Sequence, residues 1–247
     1  MEKYRSFLKA SKKNAVHLSD QQKGIEYPPL EKPPPSDARL ISLISPDNLS
    51  VAKKPLIDLL RSRKSRRRYS EEPLSFEELS FLLWSTQGVH RTLRKGYSSI
   101  RTVPSAGARH PFETYLMVNR IRDIEPGLYR YLALSHRLYR VSDLPNQTDL
   151  VEACGGQTWI AKAAVVFVWT VIPYRTEWRY KEIRSPKFIA LDAGHVCQNL
   201  YLACEAIGAG TCAIGAYFQT KMDDLIKVDG KEEFTIYLAP VGKVSKK

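Results

Sequence analysis

Long hydrophobic runs are what this sequence lacks most clearly. The longest, Ala163 to Ile172 (AAVVFVWTVI), has ten residues, about half of what a membrane-spanning helix needs. No membrane partner is therefore expected. Cysteine is scarce: Cys154, Cys197, Cys204 and Cys212 are the four in 247 residues, and none forms a C-x-x-C pair. Such a set excludes a disulfide framework. The opening stretch MEKYRSFLKASKKN is charged throughout and lacks the apolar centre of a secretory signal. Together these features predict reduced thiols in a cytoplasmic protein. No internal repeat is visible. Hydrophobic residues at 43% and charged residues at 26% exclude a collagenous or wholly disordered chain.

Acidic residues are also in deficit, 26 against 38 basic, which leaves a net charge of +12. An excess of that size fits acidic partners: nucleic acid, anionic lipid or a phosphorylated ligand. Proline is concentrated near the start, at Pro28, Pro29, Pro33, Pro34, Pro35 and Pro46. The run favours extended polyproline geometry and cannot form an interior strand. Residues 1–50 therefore read as an arm, either lying over this or a partner subunit or acting as a flexible leader. Within it, residues 3–13 fit a short polar helix. Residues 51–247 read as the folded domain.

Helices are expected over residues 52–62, from Ser75, over 187–207 and over 221–226. Ser75-Phe76-Glu77-Glu78 is a capping box. Gly208 is placed to end the long helix. Strands are expected over residues 114–119, 163–172 and 234–241, with a hairpin formed by 127–132 and 137–141. Residues 88–110 show no periodicity and read as one long loop, of the kind that is usually functional. Helices and strands mix without strict βαβ alternation, which indicates an α+β fold.

Arg61 to Arg68 (RSRKSRRR) carries six basic residues in eight. It fits a nucleic-acid patch, a solvated surface, or a phosphate clamp in which arginines bind bidentately and a serine hydroxyl adds a donor. Pro104 to Ala108 (PSAGA) is a run of small residues that lets backbone approach a flat ligand closely. Gly208 to Ala213 satisfies G-x-G-x-x-A on paper, but a dinucleotide fingerprint needs a strand before it, and here a helix precedes. Asp192, His195, Cys197 and Cys204 do not share the single face that a metal site requires. They read as a structural histidine and core cysteines, and no catalytic triad can be assembled.

Five stretches carry a resemblance: Arg63–Leu74 (RKSRRRYSEEPL), Arg101–Ala108 (RTVPSAGA), Glu125–Tyr129 (EPGLY), Leu191–Leu200 (LDAGHVCQNL) and Cys212–Ala216 (CAIGA). In this order they resemble the FMN-dependent nitroreductase family, and its SagB/ThcOx-type dehydrogenase branch in particular. The resemblance implies a nitroreductase-like fold, with a mixed, mostly antiparallel sheet flanked by helices. It also implies an interlocked homodimer with FMN at the subunit interface. By position, Arg63, Ser65 and Arg67, with Lys64 between them, match the residues that hold the flavin phosphate, ribityl chain and ring edge. Pro104, Ser105, Ala106, Gly107 and Ala108 match a loop reaching the partner's flavin. Ile214, Gly215 and Ala216 match the loop passing the reactive flavin nitrogen, and Lys243 or Lys246 a C-terminal phosphate contact. The phosphate clamp then outweighs nucleic-acid binding.

The activity implied is hydride transfer between NADH or NADPH, FMN and an acceptor such as a nitroaromatic or quinone, with the flavin carrying the chemistry. Peptide-modifying members of the branch instead oxidise azoline rings, and some carry a Lys-Tyr pair just before the L-D-A-G-H stretch. Lys187-Phe188 stands there, so Lys187 is the candidate base and lacks the phenol beside it. A flavin-binding protein without turnover is the reading from another class.

Overall fold

The strands follow from alternation and the helices from their caps. The computed structural model describes Arg5, Leu8, Lys9 and residues 18–244. Lys246 and most of the helix expected over residues 3–13 lie outside the described residues. Nine strands are present: β1 (Leu40–Ser42), β2 (Val89–Leu93), β3 (Ser98–Arg101), β4 (Phe112–Val118), β5 (Gly127–Leu132), β6 (Arg137–Ser142), β7 (Val165–Val171), β8 (Ala209–Thr211) and β9 (Phe234–Lys243). Among the described residues from 18 on, six α-helices accompany them: α1 (Leu56–Ser62), α2 (Phe76–Gln87), α3 (Gln147–Ala153), α4 (Tyr174–Tyr180), α5 (Ser185–Ala206) and α6 (Gln219–Ile226).

Seven strands make one sheet in the order β1-β6-β5-β4-β7-β9-β8. Neighbouring strands in it are antiparallel, and a parallel bridge joins Leu74 to Ile121 outside them. All seven residues of β4 and of β7 are buried, as expected of central strands covered on both faces. Leu116, Phe167, Trp169 and Ala239 point to one face and pack against Leu79, Leu82 and Leu83 of α2 and Val196, Leu200 and Cys204 of α5. Tyr115, Met117, Val168 and Leu238 point to the other face, against Leu150 of α3 and Met222 and Ile226 of α6. Full burial of one such leucine is worth about 1.5–3 kcal/mol. Among the described residues no helix is long and apolar enough to cross a membrane.

The capping box at Ser75 forms reciprocally: Glu78 N donates to Ser75 Oγ at 3.1 Å, and Ser75 N donates to Glu78 Oε2 at 2.9 Å. Gly208 follows α5 at φ +69°, a left-handed conformation that glycine adopts without strain. α1 starts at Leu56 rather than at residue 52, because Ala52 is left-handed and Pro55 occupies the N-cap. Residues 88–110 are not one loop. β2 and β3 pair as a hairpin, Val89 opposite Arg101 and Leu93 opposite Ser98. Their mostly polar side chains hide the alternation that marks a strand.

Residues 18–39 lie along the chain's own body and lead directly into the edge strand β1. Turns close at the two ends of this arm, Ile25 N to the Asp20 carbonyl at 3.0 Å and Ala38 N to the Pro35 carbonyl at 3.1 Å, but extended proline-rich chain has no internal hydrogen bonds, so the carbonyls between them find partners elsewhere. Trp178 Nε1 donates to the Ile25 carbonyl at 2.9 Å, Arg109 to Pro28 at 3.1 Å, Arg101 to Leu30 at 3.3 Å and Arg130 to Lys32 at 2.6 Å. Lys32 N in turn donates to Glu113 at 2.8 Å, and its ammonium pairs with the buried Glu233.

Candidate functional site

The basic segment after α1 has no regular secondary structure. Arg66 N donates to the Thr211 carbonyl at 2.9 Å and Ser70 N to the Lys243 carbonyl at 2.9 Å, which lays the segment beside β8 and β9. Two side chains turn inward. Arg66 grips Glu205 of α5 with two hydrogen bonds of 2.9 Å. Tyr69 OH reaches the Pro240 carbonyl at 3.0 Å. Gly210 makes room for the first of these: a Cβ there would lie 2.5 Å from Arg66 Cδ. The two glycines that imitate a dinucleotide fingerprint thus have structural duties, Gly208 as helix terminator and Gly210 as a seat for Arg66.

The remaining basic residues turn outward. Arg61 pairs loosely with Asp58 at 3.7 Å. Arg63, Lys64, Arg67 and Arg68 have no carboxylate within ion-pair distance among the described residues. Arg63 lies over the ring of Tyr201 at 5.4 Å, and Arg67 over Trp159 at 5.8 Å. A cation over a ring face is oriented while its N–H groups stay free. Between the two arginines stands Ser65, exposed, with Oγ 3.2 Å from Tyr201 OH. The same phenol oxygen accepts from Ala213 N at 2.9 Å. Tyr201 therefore joins the basic segment to the 213–216 loop.

That loop is pinned at one end. Ile214 is buried and forms an antiparallel bridge to Leu238, with N–H···O distances of 2.7 and 3.2 Å. Gly215 and Ala216 are exposed and present bare backbone. Lys243 does not join this cluster. Its ammonium is ion-paired with Glu78, donates to the Ile207 carbonyl at 2.9 Å, and is mostly buried.

Pro104 to Ala108 lies elsewhere. Ser105 Oγ donates to Asp192 Oδ2 of α5 at 2.6 Å, and Ala106 N donates to Oδ1 at 3.1 Å. Burial pushes the Asp192 carboxyl up from its ordinary value, and these two hydrogen bonds oppose the shift. Gly107 and Ala108 are both left-handed. A Cβ on Gly107 would meet Arg179 and the hydroxyl of Tyr180 at 2.8–2.9 Å. Asp192 and Tyr201 are nine residues apart on α5, about 2.5 turns, and so lie on opposite faces of that helix. Within one chain the 104–108 loop and the basic segment are held apart.

Lys187 is half-buried near the start of α5, and its ammonium donates to the Leu8 carbonyl at 2.9 Å. Phe188 packs on Tyr180 with ring centroids 4.6 Å apart. Cys197 and Cys204 are buried as core cysteines, whereas His195 is exposed and is not a core residue. It stands on the solvent side of a helix whose apolar stripe leaves that position uncovered. Tyr201 and Trp159 were invisible as site residues. Tyr201 sits in the apolar pattern of α5 and Trp159 in a short irregular stretch. Their shared signal is an aromatic ring opposite an unpaired arginine, which only the fold brings together.

Residues 60–243 match the model of the family described as the nitroreductase family. The chain belongs to the nitroreductase family. MJ1384 of Methanocaldococcus jannaschii, which carries the name nitroreductase, is 34% identical over 188 residues, covering 76% of this chain and 90% of that protein. A crystal structure from Ralstonia eutropha JMP134, described as a nitroreductase, has a TM-score of 0.68 at 28% identity and covers 90% of this chain and 100% of its own. The trifolitoxin-processing protein TfxB of Rhizobium leguminosarum bv. trifolii is 31% identical over 112 residues, 44% of this chain and 30% of TfxB. The nitroreductase-like fold is thus common to this chain and its relatives.

Proposed function

We propose that this chain is an FMN-dependent oxidoreductase that takes electrons from NADH or NADPH and passes them to an acceptor such as a nitroaromatic or a quinone. One observation carries the reading: Arg63 and Arg67 stand unneutralised over aromatic rings with Ser65 between them, next to the bare backbone of Gly215 and Ala216. Arg63 rests on Tyr201 of α5 and Arg67 on Trp159 of a separate turn, so the two guanidiniums are oriented by different elements. The two arginines therefore suit an elongated ligand with an anionic end better than one small anion gripped by both. FMN fits that description: Arg63, Lys64 and Ser65 would hold its phosphate and ribityl chain, Arg67 its ring edge, and Ile214 to Ala216 would pass the ring. When bound, the flavin supplies two-electron redox chemistry that no side chain can. The chain's own residues bind it, orient it and keep water from its ring.

A homodimer completes the site in this reading. The 104–108 loop and the basic segment lie on opposite faces of α5, so a second copy must bring one to the other. Leu56, Ile57 and Leu60 of α1 and Leu191 of α5 are exposed apolar residues available to such an interface. Light scattering at micromolar concentration should give twice the chain mass. The reading places the protein in the cytoplasm, where nicotinamide donors are present.

The test is the visible spectrum of the purified protein, followed by anaerobic NADH and NADPH. Flavin bands that bleach with either donor support the proposal. A protein that stays colourless and refuses added FMN overturns it. Bands that persist with both donors overturn the reductase reading and leave two others. One is a flavin-binding protein without turnover. The other is an azoline dehydrogenase acting on a modified peptide, which the 31% identity to TfxB favours. In that second case Lys187 would be the base, and the Lys187→Gln variant should lose azoline oxidation while keeping its flavin.

A further inference from the structure

Tyr201 is half-buried, its ring packed against the apolar core and its hydroxyl directed at polar neighbours. Its oxygen accepts from the Ala213 N–H at 2.9 Å and shares a hydrogen bond with Ser65 Oγ at 3.2 Å, to which its own proton is free to go. A hydroxyl that accepts on one side has its own proton free for another acceptor. When Tyr201 donates to Ser65, donation runs from Ala213 N–H to Tyr201, from Tyr201 O–H to Ser65, and from Ser65 O–H to an anion bound there. Such chains polarise each successive bond. The guanidinium of Arg63 rests on the same tyrosine's ring at 5.4 Å. One side chain thus sets the orientation of both the hydroxyl donor and the cation.

We propose that Tyr201 is the positioning residue for anion binding at Arg63 and Ser65, and that through it the protein distinguishes a phosphorylated flavin from the unphosphorylated one. The inference rests on the flavin reading above. It goes further in assigning the discrimination to a residue that need not touch the ligand.

The experiment measures dissociation constants of FMN and riboflavin, by quenching of flavin fluorescence, for the native protein and for Tyr201→Phe, Ser65→Ala and the double variant. Phenylalanine keeps the ring under Arg63 and removes only the hydroxyl. Tyr201→Phe should weaken FMN binding about tenfold, the scale of one hydrogen bond to a charged group, and should lower the FMN-to-riboflavin preference at least about fivefold. In the Ser65→Ala background the same change should cost less than about twofold, because its target is gone. Tyr201→Ala also removes the platform of Arg63 and should be worse than Tyr201→Phe. Equal FMN affinity in Tyr201→Phe overturns the proposal. So does a parallel loss of FMN and riboflavin, which marks a merely structural role, and so does an undiminished effect without Ser65. A native protein that binds neither flavin sinks the flavin reading itself, and this proposal with it.

Discussion

Two groups of arginines divide this molecule. Arg101, Arg109, Arg130 and Arg175 are buried where β3, β4 and β5 meet the arm, and after α1 Arg67 and Arg68 are exposed and Arg63 is half-buried. Burying a guanidinium is costly unless hydrogen bonds replace its water. The buried group meets much of that condition with acceptors from its own chain: carbonyls of Pro28, Leu30 and Lys32, the carbonyl of Arg175, and the carboxylate of Glu113 at 2.6 Å, while Arg130 Nε and Nη1 and Arg175 Nη1 are buried without a partner among the described residues. The second group has no carboxylate within ion-pair distance among the described residues, and Arg63 and Arg67 rest on aromatic faces. The same residue type is structural where the chain supplies the acceptor and ligand-directed where it does not. Burial tunes the first group as well: the Arg101 guanidinium is pulled down to about 10.

Removing one partner of a buried pair tests the first half of the contrast and should give the largest effect. Arg175 and Glu113 are 2% and 3% exposed. Arg175→Met leaves Glu113 charged and largely uncompensated, at a cost of about 3–5 kcal/mol. In a chain of this size that lowers Tm by on the order of 10 °C, read by calorimetry. Adding Glu113→Gln should recover a large part of the loss. The second half predicts the opposite profile. Arg63→Ala or Arg67→Ala should leave Tm of the flavin-free protein within about 2 °C. Each should weaken FMN binding about 10- to 150-fold, the equivalent of one charge-assisted hydrogen bond. Exposed arginines whose loss leaves FMN affinity unchanged would mean that the basic run is solvated surface and the comparison fails.

The exposed arginines were legible in the sequence and the buried ones were not, for a physical reason. A run such as Arg61 to Arg68 stands out because six charges cannot all be buried. Arg101, Arg109 and Arg130 are scattered among strands and loops and recognise carbonyls, which every residue has, and Arg175 in α4 finds Glu113 sixty-two residues away. No side-chain pattern in residues 25–32 could announce them. The capping box at Ser75, the central strand at Val165–Val171 and the hairpin of β5 and β6 were readable because each has a local signature. β2 and β3 lack apolar alternation, and α4 (YRTEWRY) lacks a helical apolar stripe. Asn146, which caps α3 by accepting from Thr148 N at 2.8 Å, was a signal that could have been used. Asp192 stood out in the sequence as an unsuitable metal ligand, whereas its role in pinning Ser105 and Ala106 needed the fold.

Beside the buried arginines lies His110, whose effect should be intermediate and dependent on pH. It is 3% exposed, and its Nε2–H faces the Ser99 carbonyl at 3.1 Å. Burial, then the nearby charge of Arg101, hold its pKa well below the ordinary 6.5. The unfolded chain therefore binds the proton first. Stability is fully present above about pH 6.5 and falls as pH drops from there toward the folded value. His136, lowered by burial too, acts in the same sense. Glu31 and Asp192, raised by burial, act in the opposite sense at more acidic pH. Unfolding between pH 7.5 and 5.5 should show Tm declining with pH, and His110→Gln should flatten the slope. An unchanged slope in the variant would assign the decline to other groups.

The smallest effect lies far from both groups of arginines and sharpens the comparison by serving as its baseline. Ser75→Ala removes the acceptor for Glu78 N and half of the capping box at the start of α2. Such a loss costs about 1 kcal/mol, or about 2–4 °C in a chain of this size. Glu78 also pairs with Lys243 through its other oxygen. That pair fixes the Glu78 side chain, so it still reaches the Ser75 N–H in the variant, and the loss should fall at the low end of the range. Flavin affinity should not move, because α2 contributes no residue to the basic segment or to the 213–216 loop. A flavin effect as large as that of Arg63→Ala would show that affinity follows general stability, and the division between the two groups of arginines would then lose its meaning.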